Sequence, residues 1–418
     1  MISVVRGTRD LYGDELATWH RLEDIFRTTS AAYGYNEFRT PILEHTELFK
    51  RGVGENTDIV GKEMYTFDDR GGDSLTMRPE MTAPIVRAAI EHNLVRHSPV
   101  TRLWYAGPLF RYERPQKGRF RQFHQYGAEC LGSPNPEADA EVILLAYDVL
   151  RRIGVTRFSL EINSLGTADA RAAYRAVLVD YLERHAHALS EDSQRRITSN
   201  PLRVLDSKAP QDRPIVDAAP RLADHLDADS IEHFTSVRTL LDVAGIPYTV
   251  NPLMVRGLDY YSHTVFEFTT DALGSQNAIC GGGRYDPLFA LVGGTPTPAV
   301  GFSIGIERVV MLLEAEAGGF PLAPAPDVYV VAAGDDARLP AALLAVRLRR
   351  AGLSVHTDLL RRSVKGQMKE ADRLRSRYVV TLGDDELKAG TVQIKNMADG
   401  SQTSIAQSDI VTVLAPTP

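Results

Sequence analysis

GPLFRYERPQKGRFRQFHQYGAE, residues 107–129, reads as two strand-like runs joined by a polar loop that contains Pro115 and Gly118. A short connection of this kind pairs its strands antiparallel, so the segment predicts a hairpin inside an antiparallel sheet. Arg111, Arg114, Lys117, Arg119 and Arg121 fall within eleven positions, with Glu113 the one opposing charge. They cluster at the hairpin tip and its stems. The planar arginine fork matches phosphate oxygens two at a time, and several forks together suit a triphosphate. A merely solvated hairpin has no need of Phe, His, Gln and Glu at these spacings.

Outward from the hairpin, SLTMRP, FSLEIN and HTVFEFTT repeat the strand pattern with short or turn-rich connections. An amphipathic helix from Leu16 to Tyr33 leads into the short segment YNEFRTPILE. Roughly from Thr167 to Gly245 a stretch rich in alanine, leucine and charge interrupts the strands, as an inserted helical subdomain would. Gly318, Gly319, Pro321, Pro324 and Pro326 then mark a linker that no helix can continue through. Beyond it DVYVVAAG, LSVHTDLL and RYVVTLGDD alternate with helical LPAALLAVRLRRAG and SVKGQMKEADRLRS. That alternation implies βαβ crossovers and a parallel sheet, followed by a hairpin turning near Asp399-Gly400. The expected fold class is α+β: an antiparallel-sheet domain over 1–326, then an α/β domain over 327–418.

Length and composition bound the function. At 418 residues, with 44% hydrophobic and 24% charged residues, the chain has the make-up of a soluble globular protein of two or three domains. The start, MISVVRGTRDLYGDE, has no signal-peptide pattern, and no run is long and apolar enough to span a membrane. Cys130 and Cys280 are too few for a disulfide scaffold and lack zinc-ligand spacing. Together these predict a cytoplasmic protein without a membrane partner. The net charge of −7 weighs against bulk coating of nucleic acid. Residues 327–418 hold 13 Lys/Arg and 11 Asp/Glu, a net of +2 that leaves −9 for the rest and permits RNA contact at the tail.

Four further segments carry chemistry. In LMVRGLDYYSHTVFEF, residues 253–268, Arg256 precedes a turn and Tyr260-Tyr261 open a strand, so one tyrosine is expected to face any given pocket. AICGGGRYDPL, residues 278–288, reads by itself as a tight turn, since it fits neither a Walker loop nor a dinucleotide fingerprint. In AVGFSIGIERVVMLLE, residues 299–314, Gly301 and Gly305 bracket a strand end and Arg308 sits in the first turns of a helix, within reach of an anion or a base. In LTMRPEMTAPIVRA, residues 75–88, Glu80 and Thr82 stand between a strand and a helix, where either also serves as a cap or dipole partner.

Taken in order, these segments resemble the bacterial histidyl-tRNA synthetases over nearly the whole chain. GYNEFRTPILE, FRYERPQKGRFRQFHQ and GFSIGIERVV resemble the three class II motifs, with Pro41 at the dimer-interface position. VRGLDYY and GGGRYD are similar to the two histidine-specific motifs. The resemblance implies a class II catalytic domain with a helical insertion, an anticodon-binding tail, and a homodimer that uses L-histidine, ATP, Mg²⁺ and tRNA(His). Arg111 and Arg256 would hold the histidine carboxylate and the α-phosphate as catalytic groups. Glu113 and Phe123 would contact adenine, Arg308 would stack on its other face near the γ-phosphate, and Arg119 would bind the terminal phosphates. Glu80, Thr82 and Gln125 would grip the α-amino group and neighbouring polar atoms, and Glu129 with Tyr260 or Tyr261 would read the imidazole. The chain departs from the family pattern at Met81, where glycine is usual, and at Cys130 and Pro287.

Chemistry supports the imidazole assignment separately. Neutral imidazole has one N–H donor and one nitrogen acceptor, so a selective pocket needs an acceptor and a donor, which a glutamate and a tyrosine supply. Such a site rejects analogues lacking those groups by about 10⁴-fold or more, which makes an editing domain unnecessary. The rival reading is the silent paralogue that serves as regulatory subunit of ATP phosphoribosyltransferase. That paralogue resembles the chain less, since the tail after Pro326 and both Arg256 and Arg308 are retained here.

Overall fold

A computed structural model describes residues 2–54, 57–116, 118–254, 260–273, 277–317 and 323–414. The chain divides into two compact units, residues 1–321 and 322–418. The strands of the first unit are β1 (Asn36–Glu37), β2 (Leu43–His45), β3 (Tyr65–Asp68), β4 (Ser74–Met77), β5 (Thr101–Phe110), β6 (Gln122–Leu131), β7 (Ser159–Ser164), β8 (Thr249–Val250), β9 (Ser262–Thr269), β10 (Ala278–Arg284) and β11 (Ala299–Gly305). Among the described residues eight of them form one sheet in the order β1-β5-β6-β11-β10-β9-β7-β8, antiparallel from β5 through β7 and parallel only at its edge strands. The hairpin expected at 107–129 is its β5–β6 pair, in register from Thr101↔Leu131 to Phe110↔Gln122.

Period-two alternation gives this sheet two different faces. Tyr126, Ala128, Cys130, Val300, Phe302, Ile304, Phe266 and Phe268 point to one side. There they pack with Trp19, Leu22 and Phe26 of the helix Gly13–Ala32 and with Val142, Ala146 and Val149 of the helix Pro136–Ile153. The intervening positions, among them Phe123, Gln125, Glu129, Gly301, Ser303 and Glu267, face the other side and line a cavity. The glycine run at 281–283 is not the tight turn its composition suggested. It lies within β10, paired to β9 and β11. A Cβ on Gly282 would meet the Gly301 carbonyl oxygen at 2.3 Å and the Phe266 ring at 2.6 Å, so close strand and ring packing explains the residue there.

The inserted region runs from the helix Ala168–Arg184 through the helix Ala228–Val243 and belongs to the first compact unit. Its Tyr174, Leu178, Val204 and Leu205 bury in the same apolar cluster as Met81, Tyr105 and Tyr260. In the second unit β12 (Val328–Ala333), β13 (Val355–Thr357), β14 (Tyr378–Gly383), β15 (Thr391–Asn396) and β16 (Gln402–Ala406) form a sheet in the order β13-β12-β14-β15-β16. Its first three strands are parallel, as βαβ alternation requires, and β15–β16 is the expected hairpin. The sheet is mixed because the helix Asp384–Ala389, which the sequence pattern did not reveal, returns the chain antiparallel onto β14.

Candidate active site

The cavity encloses about 490 Å³. Its wall includes Glu80, Thr82, Arg111, Glu113, Arg119, Phe123, Gln125, Glu129, Tyr260, Tyr261 and Arg308. Every described residue singled out from sequence for substrate contact is therefore brought to one place. Arg256 lies outside the described residues, as do Lys117 and the turn at Gly257. Other cations of the hairpin go elsewhere. Arg121 lies over the Tyr112 ring at 4.0 Å, its backbone N–H donating to the Gly7 carbonyl, and Arg114 is exposed.

One end of the cavity is organised around Glu129, which is 1% exposed. Its carboxylate accepts from the hydroxyls of Tyr285 at 2.6 Å, Thr82 at 3.0 Å and Tyr105 at 3.1 Å. Burial pushes its pKa up to about 8; the three hydroxyls oppose that rise and nearby Glu80 adds to it. Gly301 is what admits the carboxylate, since a Cβ there would fall 1.6 Å from Glu129 Oε2. Tyr260 and Tyr261 both line the cavity, their rings 5.0 Å apart. Strand alternation does not separate them, because both precede the first residue of β9.

Glu80 is engaged as a cap at the start of the helix Thr82–Glu91. It accepts the backbone N–H groups of Thr82 at 2.8 Å and Ala83 at 2.9 Å while forming part of the cavity wall. Burial raises its pKa, against the pull of those two hydrogen bonds. Met81 needs no glycine-like backbone: its φ is −108° and its side chain is buried beneath the site.

The other end is cationic. Arg111 Nε donates to the Pro79 carbonyl at 2.8 Å, and its guanidinium lies 5.2 Å from the Phe123 ring centre. Arg119 pairs with Glu113 at 3.1 Å, and Arg308 donates to the Ala278 carbonyl at 2.6 Å. Burial lowers the Arg308 pKa, and the like charges of Arg119 and Arg111 lower it further against Glu113 and Glu267. Three crowded guanidiniums in a half-buried wall make a site that an anion relieves. Glu307 fixes the helix that carries Arg308, accepting the backbone N–H of His124 and lying 2.9 Å from its Nδ1.

Sequence reasoning missed Tyr105, which bonds to Glu129, and Tyr285, Glu307 and two residues of the insertion, Arg203 and Asp206, which line the wall. The signal for Tyr105 lay in the hairpin register, which sets it opposite Gly127 on the cavity face. Tyr285 was obscured by the reading of GGGRYD as a turn.

The raised Glu129 pKa has a sign that can be tested. The folded chain holds this proton to higher pH than the unfolded chain does. Its contribution is therefore complete in acid and is lost as pH rises from about 5 to about 8. Urea unfolding of the ligand-free protein is expected to show Glu129→Gln gaining on the parent by up to roughly 1 kcal/mol per pH unit in that window. A pH-independent difference between the two would remove the burial argument.

Comparison with known proteins places this geometry. A family model for histidyl-tRNA synthetase matches residues 7–309, and an anticodon binding domain model matches residues 327–416. The crystal structure of apo Staphylococcus aureus histidyl-tRNA synthetase is 36% identical, with full coverage of both chains and a TM-score of 0.84. A histidyl-tRNA synthetase from a Nostoc species is 21% identical over 99% of each chain, with a TM-score of 0.69. A Bacillus halodurans protein described as an ATP phosphoribosyltransferase regulatory subunit/histidyl-tRNA synthetase is 23% identical over 92% of this chain and 98% of its own, with a TM-score of 0.66. At those identities the last two show the shared fold. With both family models in chain order and a full-length relative above a third identity, the chain belongs to the histidyl-tRNA synthetase family, the ligases that join histidine to its tRNA.

Proposed function

We propose that this cavity carries out both steps of histidine ligation, with the imidazole at the Glu129 end and the ATP phosphates at the Arg111–Arg119–Arg308 end. The observation that carries this reading is the polarity of the cavity: a hydroxyl-ringed buried carboxylate at one end and three crowded guanidiniums at the other. Glu129 accepts the imidazole N–H, and a hydroxyl from the tyrosines of the wall donates to its bare nitrogen. Glu80, Thr82 and Gln125 receive the α-amino group. Arg111, with Arg256, holds the histidine carboxylate against the α-phosphate. Phe123 and Arg308 sandwich adenine, Glu113 contacts its edge, and Arg119 takes the terminal phosphates.

A carboxylate oxygen of histidine attacks the α-phosphorus and pyrophosphate leaves. A ribose hydroxyl at the tRNA 3′ end then attacks the activated carbonyl and AMP leaves. Positioning and fixed positive charge supply the catalysis, and no side chain need bond to the substrate. Mg²⁺ fits this wall. No cluster of three metal-ligating side chains occurs among the described residues, but Mg²⁺ on a nucleotide takes only one or two carboxylates beside the phosphates. Glu267, in the wall near Arg308, would hold it there, and the ion would supply charge that neutralises the departing pyrophosphate.

The reading extends to assembly. Residues 327–418 bind the anticodon loop by stacking and edge contacts, for which a net charge of +2 suffices, and the insertion approaches the acceptor stem. The chain works as a cytoplasmic homodimer. Close to Pro41, Leu43 and Phe67 share a face of the β2-β4-β3 sheet and expose 44% and 45% of their surface, apolar area that a second copy would cover. Among the described residues no helix is long and apolar enough to cross a membrane.

ATP–pyrophosphate exchange with each of the twenty amino acids, without tRNA, tests the core of this reading. Exchange with histidine alone is the expected result. Folded protein that exchanges with none of them would overturn catalysis and favour a histidine-binding regulatory role.

A further inference from the structure

The insertion touches the cavity through one short loop. Pro201–Val204 forms a single 3-10 turn, and Arg203 and Asp206 from this loop line the wall. Its backbone is anchored from two sides. Val204 and Leu205 are buried in the cluster that holds Met81, Tyr260 and Tyr261. Ser207 donates through its hydroxyl to Asp212 at 2.5 Å. That fully buried carboxylate also accepts the Ser190 N–H at 2.6 Å, the Ser190 hydroxyl at 2.8 Å and the Ser193 hydroxyl at 2.5 Å. Four donors on one carboxylate make a rigid knot at the base of the loop.

The charged side chains on this fixed backbone are held far more loosely. Arg203 Nη1 lies 3.5 Å from Asp206, and Lys208 Nζ lies 3.8 Å from the other oxygen of the same carboxylate. The Asp206 side chain is 48% exposed although it lines the cavity, which places it at the rim. Long, half-exposed pairs of this kind contribute little, so an incoming anion can displace one. Two cations share one carboxylate. Lys208 therefore keeps Asp206 neutralised when Arg203 turns away.

We propose that Arg203 leaves Asp206 to hold a phosphodiester of the tRNA acceptor strand near its 3′ end, and so positions the terminal ribose for the second step. The inference rests on the ligase reading above. The ATP phosphates already have three guanidiniums in the wall, whereas Arg203 is a further cation that the insertion brings to the rim. The acceptor end must cross this rim to reach the activated carbonyl. A planar fork on an immobile loop is suited to fixing a phosphodiester in direction as well as distance. Arg203 is a positioning residue in this account, since it touches the strand and not the reacting atoms.

The test separates the two steps in the full-length enzyme. Arg203→Ala is expected to keep histidine-dependent ATP–pyrophosphate exchange within about twofold, while single-turnover transfer from preformed histidyl-adenylate to a tRNA(His) transcript falls roughly tenfold or more. Arg203→Lys should recover part of the transfer rate, as a charge without the fork does. Asp206→Asn should tighten tRNA binding, because the competitor for Arg203 is weakened. Transfer within twofold of the parent in Arg203→Ala would overturn the proposal. So would exchange falling in parallel with transfer, which would assign the contact to the ATP or pyrophosphate phosphates. Absence of exchange in the parent enzyme would instead count against the ligase reading itself.

Discussion

Gly301→Ala is expected to lower histidine-dependent pyrophosphate exchange by about 10²-fold or more, a larger effect than most losses of a contacting side chain. The added Cβ would stand 1.6 Å from Glu129 Oε2, 2.5 Å from its Cδ and 2.7 Å from the Ala128 carbonyl oxygen. Of these the backbone oxygen has nowhere to go, because β6 and β11 are paired at this point in the register Gly301↔Glu129. The carboxylate must therefore swing out of its ring of hydroxyls, leaving Tyr105, Thr82 and Tyr285 without their acceptor. Each orphaned buried hydroxyl costs about 1–3 kcal/mol, and the imidazole loses its acceptor as well. Thermal unfolding should show a destabilised but folded protein, on the scale of an overpacked core. Glu129→Gly combined with Gly301→Ala removes the clash with the carboxylate and leaves the tight contact with the Ala128 carbonyl, so it should regain part of the stability without regaining histidine activation. Near-normal exchange in Gly301→Ala would mean that the carboxylate has another productive position.

The cavity was legible in the sequence where chemistry and period agree. Arg111, Glu113, Phe123, Gln125 and Glu129 share a hairpin, and odd positions of β6 share a face. The parallel strands β12, β13 and β14 were legible for the same kind of reason, since helices of crossover length separate them. Legibility failed where a residue's role depends on a neighbour remote in sequence. Gly281–Gly283 read as a turn because nothing local reveals that strand and ring packing crowds Gly282 and that Gly301 must admit a glutamate from another strand. Tyr260 and Tyr261 were expected to part company by strand alternation, but the strand begins only after both of them, at Ser262. Met81, in place of the usual glycine, meets no backbone obstacle because its φ is negative. Arg203 and Asp206 were invisible, since only the folded insertion carries them to the rim.

Arg284→Met is expected to cost about 3–5 kcal/mol of stability, the largest single loss foreseen for a side chain that does not line the cavity. Arg284 is 1% exposed at the end of β10. It grips Asp139 on the helix Pro136–Ile153 through Nε and Nη2, and it donates to the Ser133 carbonyl at 2.9 Å and to Asp286 at 3.2 Å. Asp139 is wholly buried, and His233 of the insertion lies 3.3 Å from it. Burial alone would raise the Asp139 pKa, yet His233 and Arg284 hold it below the ordinary aspartate range. Removing the arginine leaves a buried carboxylate without its strong partner, and that orphan, not the lost attraction, makes the cost large. An apolar pair, Arg284→Met with Asp139→Leu, removes both charges and should recover most of the stability in urea unfolding. Histidine activation should not recover with it. Arg284 also fixes the residue before Tyr285, whose hydroxyl is bonded to Glu129, and methionine cannot hold the 133–135 carbonyls that anchor that turn. A double variant that regains stability but keeps a raised histidine KM would identify the ion pair as a device for aiming Tyr285. Full recovery of both would reduce it to packing, and an undiminished stability in the single variant would contradict the burial of Asp139 itself.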